Sequence, residues 1–290
     1  MNFGIIFTNV GPFTGPEQAA GLARLAEESG FESLWTVEHV VVPSGYESAY
    51  PYSPDGKMPG GDKIPIGDPI VWLAYVAAVT ERIRLATGIL ILSQRNPVIT
   101  AKAAATLDTL SGGRLTLGVG VGWLREEFEA IGAPFEERGA RVDEYIAAMK
   151  VLWRDDEATF EGRFTNFKNA NLYPKPVQTG GIPVVIGGHS DAAARRAGRL
   201  GDGFFPGRFV PGDTTELERL LGVMRGAAKE AGRDADAIEI TSGGAFDVDG
   251  AKGLADLGVS RIVIPPLGFD LDTLKRSLGE FSERVIAPLS

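Results

Sequence analysis

The sequence contains no cysteine, and its 290 residues include only two histidines, His39 and His189. Without a thiol, disulfides, thiolate metal sites and a cysteine nucleophile are excluded. Two imidazoles are too few for a multi-histidine metal centre, so no metal is expected. Long hydrophobic runs are missing too: the longest apolar stretch, Ile70–Val79, is too short to span a bilayer. The first 13 residues show no basic segment followed by an apolar run, so the chain reads as cytoplasmic, with no membrane partner. Basic clusters are also absent. Lys and Arg number 29 against 38 Asp and Glu, a net charge of -9, and nothing could follow a phosphate backbone, which excludes nucleic acid as a partner.

What is present is an ordinary globular composition, 44% hydrophobic and 23% charged, arranged in a repeating pattern. Short β-rich runs fall at Phe3–Phe7, Ser33–Val37, Ile83–Leu92, Leu115–Val119, Pro183–Ile186, Gly203–Phe205, Ile238–Thr241 and Arg261–Ile264. Amphipathic helical patterns alternate with them, at Pro16–Ser29, Pro69–Thr80, Thr100–Leu110, Arg138–Trp153, Asp191–Leu200, Thr215–Ala231, Gly250–Leu257 and Leu271–Val285. Asp68 before Pro69 reads as a helix start, and Gly30 after Ser29 as a stop. Strict alternation implies parallel strands with right-handed crossovers, and eight repeats close into a (β/α)8 TIM barrel with its site at the C-terminal mouth. The rival, a doubly wound open sheet, lacks a GxGxxG turn: Thr8-Asn9-Val10-Gly11-Pro12 follows the first strand. A single domain over residues 1–290 is expected, since barrels of this length form one core.

Two connections exceed ordinary links. Val40–Gly67 follows the second strand on the mouth side and holds Tyr46, Tyr50, Tyr52, Pro51, Pro54, Pro59 and Pro65, which reads as an ordered lid. Asp155–Gly181 reads as a short hairpin before the fifth strand.

Four motifs bear on chemistry. Thr36–Val40 (TVEHV) sets Glu38 and His39 just past the second strand, where barrel catalytic residues stand; the imidazole can exchange a proton near neutral pH and a neighbouring carboxylate can support it. The bland reading is a solvated loop pair. Leu85–Leu92 (LATGILIL) places Thr87, Gly88 and Ile89 in mid-strand, where a glycine marks a bulge, a ligand pressing on the backbone, or simple packing relief. Gly113–Trp123 ends in Gly118, Gly120 and Gly122, which leave room for a flat ligand or merely relieve crowding. Pro183–Gly198 runs a strand into Gly187-Gly188-His189-Ser190 and then a helix; this is an anion site by mechanism, with backbone N–H groups and a Ser190 cap, or else an ordinary glycine turn.

In this order, NFGIIFTNVGP, AEESGFESLWTVEHVVVP, AVTERIRLATGILIL, ATLDTLSGGRLTLGVGVGWLREEFEAIG, GRFTNF, PKPVQ and PVVIGGHSDAAARRAGRLGDGFFP resemble the luciferase-like monooxygenase superfamily. The likeness covers residues 1 to 206, and within the superfamily the chain is most similar to compact oxidoreductases that use coenzyme F420. The resemblance implies a dimeric TIM barrel with a deazaflavin ring in the mouth; FMN is the alternative cofactor. It implies that His39 transfers the proton with Glu38 beside it, and that Gly88–Ile89 form a cis peptide backing the ring. It places the cofactor phosphate at Gly187 and Gly188, with Thr87, Ile89, Gly120, Gly122, His189 and Ser190 completing the cofactor site. Asn9 and Trp123 are assigned to the substrate pocket. Trp123 stands where F420-dependent sugar-phosphate dehydrogenases carry a catalytic glutamate, which disfavours that substrate class.

The expected function is hydride transfer between F420 and a small organic substrate, with a separate reductase as a possible supplier of reduced cofactor. The alternatives are an FMN-dependent monooxygenase and a non-catalytic F420-binding protein. The latter needs no proton donor at the ring, so His39 beside Glu38 counts against it.

Overall fold

The computed structural model of the chain describes residues 1–207 and 213–289. Its elements, in order, are β1 (Asn2–Ile6), α1 (Pro16–Glu28), β2 (Ser33–Thr36), α2 (Pro69–Ala77), β3 (Arg84–Thr87), β4 (Leu90–Ile91), α3 (Pro97–Leu110) and β5 (Leu115–Gly120). There follow α4 (Arg125–Ala130), α5 (Arg138–Arg154), β6 (Ala158–Glu161), β7 (Asn166–Ala170), β8 (Val184–Gly187) and α6 (Asp191–Leu200). The chain ends with β9 (Gly203–Phe205), α7 (Thr215–Glu230), β10 (Glu239–Gly243), α8 (Val248–Asp256), β11 (Arg261–Ile264) and α9 (Leu271–Phe281).

The large sheet runs β3-β2-β1-β11-β10-β9-β8-β5-β4, and β3 also pairs with β5, which closes it. With β3 and β4 as two halves of one stave, this is an eight-stranded parallel barrel ringed by helices, the TIM barrel expected from the alternation. The antiparallel pair β6–β7 is the expected hairpin between α5 and β8.

Local chemistry explains the helix starts. Asp68 accepts from the N–H groups of Ile70 and Val71, both at 2.9 Å, satisfying donors that the first turn leaves open. Asn96 caps α3 in the same way, and Ser190 caps α6 through the Ala193 N–H. Gly30, at φ +81°, stops α1 in the left-handed region where only glycine sits without strain.

Two cores hold the barrel. Inside it, Ile6, Trp35, Ala86, Val185, Phe205 and Val263 pack together, with Trp35 edge-on to Phe205 at 5.6 Å. A larger apolar layer lies between strands and helices. The bottom is closed by the buried Arg261, whose guanidinium pairs with Glu32 at 2.9 Å and Glu239 at 3.1 Å. That fixed floor leaves the C-terminal mouth as the open end.

One predicted strand, Ile83–Leu92, is two pieces. The chain breaks at Gly88–Ile89, whose peptide is cis as the resemblance implies. A Cβ on Gly88 would lie 2.9 Å from the Trp35 ring, and one on Gly118 would lie 1.9 Å from the Thr87 carbonyl, so the staves approach here more closely than a side chain allows.

Candidate active site

The mouth holds a cavity of about 1040 Å³. Its floor is Gly88 and Ile89, and the Ile89 side chain lies between Gly120 and Gly187, where Cβ atoms would come within 2.6 and 2.3 Å of it. Gly122 likewise gives way to Ile91 and Phe128. The space opened by these three glycines is therefore filled first by protein side chains. All three still line the cavity, with Gly188, His189 and Ser190 beyond them.

His39 also lines the cavity, its side chain 9% exposed. Its Nδ1 lies 2.7 Å from Oε2 of Glu127, a fully buried residue on α4. The second oxygen of Glu127 accepts from the Val40 N–H at 2.5 Å and from the Gln94 amide at 3.5 Å. A buried carboxylate with both oxygens matched holds its geometry, because any displacement would leave a charge unpaired in a low-dielectric interior. It fixes the imidazole on the cavity wall through Nδ1.

Glu127 is absent from the sequence reading, which set Glu38 beside His39. The Glu38 carboxylate instead points to the Arg95 guanidinium, with Arg95 Nε at 2.7 Å, and accepts from the Ile91 N–H. Burial pushes its carboxyl up from the ordinary range while Arg95 pulls it down. Glu38 therefore ties the end of β2 to the β4 segment, and the partner of His39 is an acid 88 residues further on. The signal lay in Leu124, Glu127 and Phe128, an acidic residue on the apolar side of a short helix.

Two more candidates lie outside the cavity lining. Asn9 is fully buried outside the cavity lining: its amide donates to the carbonyls of Val37 and Gly67 at 2.8 and 2.6 Å and accepts from the Val37 N–H at 2.9 Å. It fastens the base of the lid to the end of β2. Thr87 is also fully buried, its hydroxyl donating to the Gly118 carbonyl at 2.6 Å.

The loop expected to hold an anion, Gly187 to Ser190, lines the cavity. The Gly188 N–H is occupied by the Phe205 carbonyl at 3.1 Å, so the N–H groups available there belong to the first turn of α6. Arg138 and Arg196, which sequence reading passed over, line the same cavity. Arg196 is buried and paired with Asp143. Arg138 lies over the Phe135 ring at 3.4 Å, and burial lowers the pKa of its guanidinium.

The lid, residues 40–67, is folded over the mouth. Tyr46, Met58 and Leu124 form a small core of their own with Tyr50, Ile64 and Trp123 against it. The base is held by the Val10–Ile66 bridge and the Gly11 N–H to Pro65 carbonyl bond at 2.9 Å. Its far side is tied to α4: Glu126 accepts from the N–H groups of Glu47 and Ser48 at 2.6 and 3.0 Å and from the Ser48 hydroxyl at 2.7 Å. Trp123 stands between lid and histidine, its ring 5.6 Å from His39 and 5.2 Å from Tyr50.

Comparison with known proteins places the chain in a family. The family model described as luciferase-like monooxygenase matches residues 1–250. An uncharacterised protein of Mycobacterium tuberculosis (strain ATCC 25618 / H37Rv) is 37% identical over 275 residues, covering 92% of this chain and 93% of the relative. An F420-dependent glucose-6-phosphate dehydrogenase of Kineococcus radiotolerans is 34% identical over 251 residues, covering 82% of this chain and 67% of the relative. Among solved structures, the coenzyme F420 dependent tetrahydromethanopterin reductase of Methanopyrus kandleri superposes with a TM-score of 0.78 at 20% identity, over 100% of this chain and 99% of that one. The chain is an oxidoreductase of the luciferase-like monooxygenase family.

Proposed function

We propose that this chain transfers a hydride between coenzyme F420 and a small organic substrate, with His39 handling the accompanying proton. The observation that carries the reading is the His39–Glu127 pair at 2.7 Å, set on the wall of a cavity floored by Gly88 and Ile89. An imidazole anchored through Nδ1 on a buried carboxylate at a cavity wall is suited to exchange a proton there.

The residues present fit a deazaflavin. Ile89 and its flanking glycines make a flat apolar floor, while the start of α6 supplies donors and Arg138, which has no ion-pair partner among the described residues, supplies positive charge for a phosphate. When bound, the deazaflavin supplies two-electron hydride chemistry, since carbon replaces the reactive flavin nitrogen and oxygen is not efficiently activated. The chain's own residues do the rest. Glu127 holds the tautomer in which Nδ1–H donates to it, Nε2 takes or gives the substrate proton, and Trp123 with the lid keeps water away.

The competing reading is an FMN-dependent monooxygenase, which the family's description favours. Screening small substrates with reduced F420 in a cell fitted with an oxygen electrode separates the two. Our reading expects F420 oxidation without oxygen uptake. Turnover only with reduced FMN, at one oxygen consumed per product, would replace it. The single domain over residues 1–290, the cytoplasmic location, the homodimer and a separate reductase belong to the same proposal.

A further inference from the structure

Among the described residues, all but one of the charged side chains lining this cavity are ion-paired, the exception being Arg138. Among the described residues that line it, the carboxylate of Glu38 is held by Arg95, and that of Glu137 by Arg163 at 2.6 and 2.8 Å. His39 is paired with Glu127 and Arg196 with Asp143, while Arg138 is turned onto the carbonyls of Phe135 and Gly122 at 2.6 and 3.3 Å. Beneath the lid the wall is aromatic and continuous. The His39 and Trp123 rings lie 5.6 Å apart, Trp123 and Tyr50 5.2 Å, and Tyr50 and Tyr52 5.4 Å, each pair edge-on. Met58, Ile64 and Ile66 complete this side.

Two polar atoms interrupt the apolar surface. The hydroxyls of Tyr50 and Tyr52 make no hydrogen bond among the described residues, although both side chains line the cavity. Burial, helped by Tyr52 and Tyr46 nearby, pushes the Tyr50 phenol up to about 12, and burial raises that of Tyr52 as well. Both therefore remain donors at neutral pH.

Resting on the reading of this cavity as a deazaflavin-dependent active site, we infer that its lid side is a subsite for an uncharged, planar, mostly apolar substrate. That substrate offers an acceptor oxygen to the Tyr50 hydroxyl. Flat rings suit edge-on contact with Trp123 and Tyr50, and one or two acceptors suit the donors available. A sugar phosphate does not suit it. Its dianion would be desolvated against the lid, none of whose described lining residues carries a cation, and its hydroxyls would be buried against carbon. Trp123 and Tyr50 thus set specificity, and the subsite departs from the substrate named for the Kineococcus relative.

The test is isothermal titration of the protein saturated with oxidised F420. The probes are menadione, the anionic 1,4-naphthoquinone-2-sulfonate, and glucose 6-phosphate. Saturable menadione binding is expected, with the sulfonate at least about tenfold weaker and glucose 6-phosphate without signal. Tyr50→Phe, which keeps the ring and its packing, should weaken menadione about three- to tenfold, the loss of one hydrogen bond. Trp123→Ala should weaken it further. Repeating the series without cofactor keeps the claim readable if F420 itself fails to bind, because the aromatic wall belongs to the chain. Glucose 6-phosphate binding more tightly than menadione, equal affinity for menadione and its sulfonate analogue, or menadione binding unchanged in both variants would overturn the inference.

Discussion

At the scale of single residues, the site turns on His39 and on what holds it. Its protein partner is Glu127, buried and doubly occupied, while Glu38 is committed to Arg95. His39→Ala should keep cofactor affinity within a few-fold while kcat falls by about 10²–10⁴, the usual contribution of a positioned acid or base. A variant turning over like the parent would remove His39 from the mechanism. Glu127→Gln tests the support by a readout that a merely structural role would not move. In a chain with two histidines, nitrogen-15 spectra resolve both imidazoles, and His189→Gln assigns them. His39 should show a single tautomer protonated at Nδ1, which Glu127→Gln should turn into a mixture while lowering kcat by about 10²-fold or more. Unchanged spectra would show that Glu127 does not set the tautomer. His39 was legible in the sequence through its scarcity and its place after β2. Glu127 was not, because an acid 88 residues away reaches the imidazole only once β5 and α4 are folded. Asn9 and Thr87 mislead in the opposite direction: polar residues at strand ends resemble ligand contacts until their hydrogen bonds are seen to close within the backbone.

At the scale of elements, all eight barrel staves and the hairpin could be read from alternation and length. What could not be read was where a stave breaks and which short piece is helical. The division of Ile83–Leu92 falls at Gly88, where a Cβ would lie 2.9 Å from the Trp35 ring of the neighbouring β2, a contact distant in sequence. Helix α4 has six residues and no side-chain N-cap bond, so little beyond the spacing of Leu124, Glu127 and Phe128 announces it. Yet α4 supplies both Glu127 and the lid's outer tether. The Ser48 hydroxyl, with the N–H groups of Glu47 and Ser48, holds the Glu126 carboxyl down to about 2, against an ordinary 4.5. A carboxyl lowered on folding stabilises the tethered state above its unfolded pKa and loses that contribution as pH falls through the folded one. The tether should therefore be complete above pH ~4.5 and weaken from there toward pH ~2. Hydrogen exchange at Glu47 and Ser48 reads it: protection should fall over that range in the parent, and should be low at every pH in Glu126→Ala. Equal protection in parent and variant at neutral pH would show that the lid does not depend on this contact.

At the scale of the whole molecule, the barrel closes its bottom with Arg261 and places its cavity at the mouth beneath the lid, so function gathers at one end. The neighbouring helices α2 and α3 expose Val71 (69%), Tyr75 (45%) and Ile99 (70%), an apolar face that suits the proposed homodimer. Light scattering should give twice the chain mass of 30.8 kDa, and Ile99→Asp should shift the protein toward that mass itself. A monomer in the parent would contradict the dimer. No helix among the described residues is long and apolar enough to cross a membrane. The central claim, that this mouth is built for a deazaflavin, is tested most directly by titrating the purified protein separately with F420 and with FMN and comparing dissociation constants. The account predicts that F420 binds at least tenfold more tightly, a difference of about 1.4 kcal/mol; equal affinities, or tighter binding of FMN, would contradict it.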